Sequence, residues 1–117
     1  MKEDIRDQWT AALRSGKYSQ TRGKLIRDGE FCCLGVLCDL HSIETGTPWK
    51  GNTYYLNDSS LPTEVMIWAG LNLNDPNVYV SYRVEGEGGE EETTLTTLND
   101  EIEYDFDQIA NIIEEEL

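Results

Sequence analysis

Cys32, Cys33, Cys38 and His41 are the residues of this 117-residue chain whose types suit thiol or soft-metal chemistry. A zinc site needs ligands that converge on one point, and no CxxC knuckle occurs. Cys38 and His41 are three apart and can share a helix face, but neighbouring Cys32 and Cys33 project ~100° apart on a helix. A cysteine nucleophile needs a partly exposed, electropositive setting with a base beside it, whereas the run from Phe31 to Leu40 is apolar. The expected reading is buried, reduced core thiols, with no bound metal, no catalytic residue and no disulfide framework.

A second set of residues could bind an anion. Arg14, Lys17, Arg22, Lys24 and Arg27 form the one positive stretch, with Tyr18 and Gln20 among them, and Trp49, Tyr54 and Tyr55 follow in a loop-rich segment. Guanidinium forks and aromatic faces suit a nucleotide, although no Gly-rich phosphate loop accompanies them.

The third set is acidic. Residues 1–30 hold seven Lys or Arg against five Asp or Glu, residues 31–117 hold two against eighteen, and no base follows Glu85 in a chain of net charge −14. Duplex binding draws its affinity from neutralised phosphates, so nucleic acid is disfavoured as a direct partner of the C-terminal half. Glycosidase-like chemistry needs two carboxyls in unlike environments within a cleft. Glu85, Glu87, Glu90, Glu91, Glu92, Asp100, Glu101 and Glu103 instead crowd Gly-rich or polar stretches, as an acidic face for a basic protein partner would.

The elements that must position these residues follow from periodicity and punctuation. Ile5, Trp9, Ala12 and Leu13, with a stop at Ser15-Gly16, predict a helix over 4–15 anchored by Trp9. Asp28-Gly29 predicts a hairpin over 24–31 with a type I′ turn. Residues 31–40 are apolar almost all round, and their few β-branched residues favour a central helix, with Gly35 admitting a close neighbour. Residues 41–60 read as an irregular connection around a short strand at 54–56. Pro62 and Gly70 bracket a helix over 62–69. Val78, Val80, Tyr82 and Val84, a turn over 86–89, and the run 93–98 predict a β-hairpin. Asp105 and Gln108 imitate a capping box that opens a helix over 105–116. Glu114, Glu115 and Glu116 oppose the dipole at its end, which hints at a role other than stability.

The expected fold class is α+β, with about four helices around a central Cys-rich apolar helix and one or two β-hairpins, in one globular domain over 1–117. The longest apolar stretch is about half a bilayer span, and the acidic start lacks a signal-like apolar run. No membrane segment and a cytoplasmic location are expected.

The block from Trp9 to Gln20, Gly23-Lys24-Leu25, and Phe31-Cys32-Cys33-Leu34-Gly35-Val36-Leu37-Cys38-Asp39-Leu40 resemble a family of small proteins encoded by tailed bacteriophages and prophages. Leu61-Pro62 with Val65 and Trp68, Leu98-Asn99-Asp100, and Phe106 with Ile109-Ala110 and Ile113 extend the resemblance over nearly the whole chain. It implies origin more than chemistry, since the family carries no settled activity. The Glu-rich hairpin at 78–97 looks like an elaboration of the pattern.

The leading expectation is a phage-encoded, non-enzymatic accessory protein of the host cytoplasm. It would inhibit a host (antiviral defence) protein through an acidic, nucleic-acid-mimicking surface, because spaced carboxylates imitate phosphates and a strong field speeds encounter with a basic groove. The alternatives are a sponge that sequesters a nucleotide second messenger at the positive stretch and the aromatic loop, and a small enzyme. No cofactor is expected.

Overall fold

The computed structural model describes the backbone of residues 1–84 and 87–117 and the side chains of residues 1–81 and 88–117. Along the described chain run α1 (Glu3–Arg14), β1 (Ile26–Arg27), β2 (Glu30–Phe31), α2 (Cys33–Thr45), α3 (Thr63–Ala69), β3 (Asn77–Val84), β4 (Glu87–Thr94), α4 (Leu95–Asp100) and α5 (Phe106–Glu116). The class is α+β, with two antiparallel two-stranded sheets, β1 with β2 and β3 with β4. Among the described residues, no helix is long and apolar enough to cross a membrane.

The central helix is α2, whose residues 33–38 are all buried. Cys32 caps it, its sulfur accepting from the Gly35 N–H, and Gly46 ends it in the left-handed conformation at φ 75°. Gly35 is required by packing rather than by its own dihedrals: a Cβ there would lie 1.9 Å from the Leu25 carbonyl oxygen. That same oxygen accepts from the Cys32 N–H at 3.1 Å, so the chain entering β1 lies flush on the helix start.

α1 covers one side of α2 with Ile5, Trp9, Thr10 and Leu13, spaced as one stripe of a 3.6-residue helix. Trp9 is fully buried and gives its indole N–H to the Cys33 carbonyl at 2.9 Å. α5 packs on α1 through Phe106, Ile109, Ala110 and Ile113. Its start carries the capping box: Gln108 N–H donates to Asp105 at 2.8 Å while the Gln108 side chain accepts from Asp105 N–H at 3.0 Å.

Several sequence expectations change. The helices number five among the described residues, because the run 93–98 is strand only at Thr93 and Thr94: β4 ends at Thr94, whose hydroxyl caps α4 by accepting from Thr97 N–H at 3.3 Å. The central helix continues to Thr45 rather than stopping near Leu40, so His41 is helical. Residues 54–56 form no strand; Tyr54 and Asn57 make an isolated bridge instead. The hairpin at Asp28-Gly29 forms as expected, with φ of 52° and 79° at its two turn residues. The expected turn at 86–89 does not form over 87–89: Glu87, Gly88 and Gly89 belong to β4, paired with Val84, Arg83 and Tyr82, because the strand ladder continues past them. Gly86 and the faces taken by Tyr82 and Val84 lie outside what is described.

Candidate functional site

In the β3/β4 hairpin, Tyr79 pairs with Glu92 and Ser81 with Glu90. Side chains alternate across a strand, so these four share one face, while Glu91 opposite Val80 lies on the other. The hairpin is tied to α5 at its base: Val78 is buried, and the Glu116 carboxylate accepts the Tyr79 backbone N–H at 2.5 Å. A groove of about 340 Å³ runs between β3 and α5, with Tyr79, Ser81, Glu90, Tyr104, Glu115 and Glu116 among its walls.

The field in this groove is negative. The Tyr79 hydroxyl donates to Glu92 at 3.2 Å, and this hydrogen bond, with the charges of Glu92, Glu116 and Glu90, raises its pKa above the usual tyrosine value. Carboxylates beside two tyrosine rings suit a guanidinium or ammonium group, which gains charge-assisted hydrogen bonds and cation–π contact together.

The remaining acids are dispersed. Asp100 is half-buried and accepts from the Asn99 side-chain amide at 2.8 Å. Glu101 and Glu103 are exposed beyond α4, with Glu103 in a left-handed conformation at φ 62°. Glu85 and the side chain of Glu87 lie outside the described residues. Two of the three terminal acids have structural work: Glu114 forms a two-pronged pair with Arg14 at 2.6 and 3.0 Å, and Glu116 straps β3. The Arg14 hydrogen bond holds the Glu114 carboxyl below its ordinary value.

The positive stretch is distributed over separate neighbours. Arg14 faces α5, Lys24 donates to Asp58 at 2.8 Å, and Arg22 lies 3.9 Å from Glu103. The Lys24 hydrogen bond lowers the pKa of Asp58. Lys17 and Arg27 are exposed. Gln20 donates to Asn99 and to the Tyr104 carbonyl, both at 2.8 Å. Tyr18 and Trp49 converge on Asp39, donating at 2.6 and 3.1 Å. Burial, reinforced by the bond to Asp39, pushes the Tyr18 hydroxyl well above its ordinary value.

Tyr54 is fully buried with its hydroxyl 2.6 Å from His41 Nδ1. The histidine is enclosed edge-on by Tyr54, Tyr55 and Trp68, and burial lowers its pKa against the opposing pull of Glu44 and Glu64.

The three cysteines are free and buried. Burial pushes the Cys32 thiol up to about 11 and raises Cys33 and Cys38 as well, the opposite of what a nucleophile requires. Among the described residues, no three His, Cys, Asp or Glu side chains gather as metal ligands.

Sequence reading missed Tyr79, Tyr104 and Glu115 as groove residues because their convergence is tertiary. It also misses Asn99, which is fully buried; the fragment Leu98-Asn99-Asp100 offers only a polar residue after a run whose residues suit a strand. No curated protein and no solved structure matches the chain. A family profile matches residues 1–117 throughout, and the chain belongs to that family, the domain of unknown function DUF8296.

Proposed function

We propose that this is a phage-encoded, non-enzymatic accessory protein that inhibits a host protein by occupying its basic, nucleic-acid-binding surface. The observation that carries the reading is the groove between β3 and α5, where Glu90, Glu115 and Glu116 stand beside Tyr79 and Tyr104. It offers a cationic side chain of the partner a negative, aromatic-walled seat. Glu92 and Glu90, two residues apart on β4, lie roughly 7 Å from one another along the strand and extend the negative track. The excess of acids after Glu85, where no Lys or Arg follows, strengthens long-range steering toward a basic partner. Phage origin is supported by the resemblance over Trp9–Gln20 and Phe31–Leu40. A nucleotide sponge has less behind it, since Arg14, Arg22 and Lys24 each face an acid and Tyr54 is buried.

The test is affinity capture from host cells at low salt with the wild-type chain and with a Glu90→Lys/Glu115→Lys variant, followed by mass spectrometry. Recovery of a basic nucleic-acid-binding protein by the wild type alone, and displacement of nucleic acid from that protein, is expected. Capture of no such protein, or capture indifferent to the charge reversal, overturns the reading.

A further inference from the structure

The turn over residues 54–57 has a geometry that its residues do not favour. Tyr54 N–H donates to the Asn57 carbonyl at 2.9 Å and Asn57 N–H to the Tyr54 carbonyl at 3.0 Å. Both central residues have positive φ, 48° at Tyr55 and 68° at Leu56. Two positive φ values within such a closed pair mark a type I′ turn, which selects Asn-Gly because a Cβ crowds the following carbonyl in the left-handed region. Tyr and Leu occupy those positions here.

Tyr55 is held from several sides. Its ring packs edge-on against His41 and Tyr54, with centroids 6.0 and 5.0 Å away, its hydroxyl lies 3.3 Å from that of Thr47, and Asn57 donates to its carbonyl at 3.1 Å. Leu56, by contrast, is 87% exposed. Strained backbone persists only where its surroundings over-determine it, and it concentrates at sites of contact. Here the enforced conformation points an apolar side chain into water.

Beside that side chain is a cavity of about 470 Å³ lined by Thr47, Pro48, Lys50, Tyr55, Leu56 and Glu64. Ile67, also largely exposed, lies three residues along α3 from Glu64 and so on the same face. The patch therefore contains an apolar projection, an adjoining hollow, and one charge of each sign.

We propose that this patch is a two-fold interface with a second copy of the chain, Leu56 of each protomer entering the other's cavity while Lys50 of each meets Glu64 of the other. A two-fold axis pairs a patch with itself, so a projection needs a hollow beside it and a cation needs an anion beside it. Both pairs are present on one patch, whereas a foreign partner requires only one member of each. The charge distribution agrees: the acids of β4, α4 and α5 are on other elements, and the patch sets Lys50 against Glu64. The interface uses no residue of the acidic groove, so either reading can fail without the other.

Analytical ultracentrifugation of the full chain tests this, in salt high enough to screen repulsion between two copies of charge −14. Self-association to a dimer is expected by on the order of 100 μM chain. Leu56→Gly is expected to abolish it without lowering the melting temperature, since glycine suits a φ of 68°. Lys50→Glu and Glu64→Lys are each expected to weaken the dimer at least about tenfold by setting like charges face to face, and combining them is expected to restore it. A wild type that stays monomeric, a dimer indifferent to Leu56→Gly, or a double charge swap no tighter than either single change overturns the proposal. The charge-swap cycle stands whether or not the Leu56 variant folds.

Discussion

The side-chain oxygen of Asn99 accepts the backbone N–H of Cys33 at 3.3 Å, so the first turn of the central helix is completed by a residue 66 positions away. The same oxygen takes a hydrogen bond from Gln20, and the Asn99 amide donates to the Thr21 carbonyl at 2.9 Å and to Asp100. One fully buried side chain thus joins α2, α4 and the segment before β1.

Asn99→Ala leaves the Cys33 N–H and the Thr21 carbonyl without these partners in a buried site. Each orphaned group costs about 1–3 kcal/mol, so a loss of about 3 kcal/mol is expected by urea denaturation. A loss under 1 kcal/mol would show that water or a local shift replaces the network.

Gly35→Ala is expected to cost about 3 kcal/mol or more, at the upper end of overpacking substitutions. The added carbon meets backbone, the Leu25 carbonyl, rather than a side chain that could rotate away. Thermal and urea unfolding measure the loss, and near-wild-type stability would contradict the packing at the helix start.

At the end of α5, Glu115→Gln and Glu114→Gln are expected to move the melting temperature in opposite directions. Glu115 has no hydrogen bond or ion pair among the described residues and opposes the helix dipole, so neutralising it stabilises. Glu114 holds Arg14 by two bonds, which the amide weakens. Equal shifts of the same sign in a pair of thermal melts would refute the distinction.

His41 sets a pH limb. Its folded-state pKa is depressed, chiefly by burial, so the unfolded chain takes up the proton first as pH falls. Its contribution is complete above about 6.5, the unfolded value, and is lost as pH drops through the folded value. Glu114 and Asp58, also depressed, lose their contributions only below the ordinary carboxylate range. Melting temperatures from pH 8 to 5 are expected to fall for the wild type and to stay flatter for His41→Gln; parallel curves would assign the limb elsewhere.

Much of the secondary structure was legible because local chemistry decided it. Asp105 with Gln108 read as a cap and is one, Asp28-Gly29 read as a type I′ turn and forms one, and the stripe from Ile5 to Leu13 buries Trp9 as its spacing requires. In the run from Thr93 to Leu98 the strand reading holds for the first two residues and fails from Leu95 on, because threonine serves strands and helix caps alike, and only the fold decides that Thr94 caps. Tyr55-Leu56 could not be read as a turn, since its geometry is imposed by His41, Tyr54 and Asn57 against residue preference. The groove was half visible: the acids stood out, but the pairing of Glu90 on β4 with Glu115 and Glu116 on α5 depends on how the hairpin docks.

The reach of the Asn99 network also bears on how the chain acquires its structure. Residues 33–38 are apolar on every face, and their cover comes from α1 on one side and from α4, far along the chain, on another. During synthesis the central helix emerges 66 residues before the side chain that completes its first turn. For that interval its leucines have only half their shelter. Long-range closures of this kind slow folding and prolong exposure of sticky surface, and the start of the central helix is completed only once Asn99 has been made.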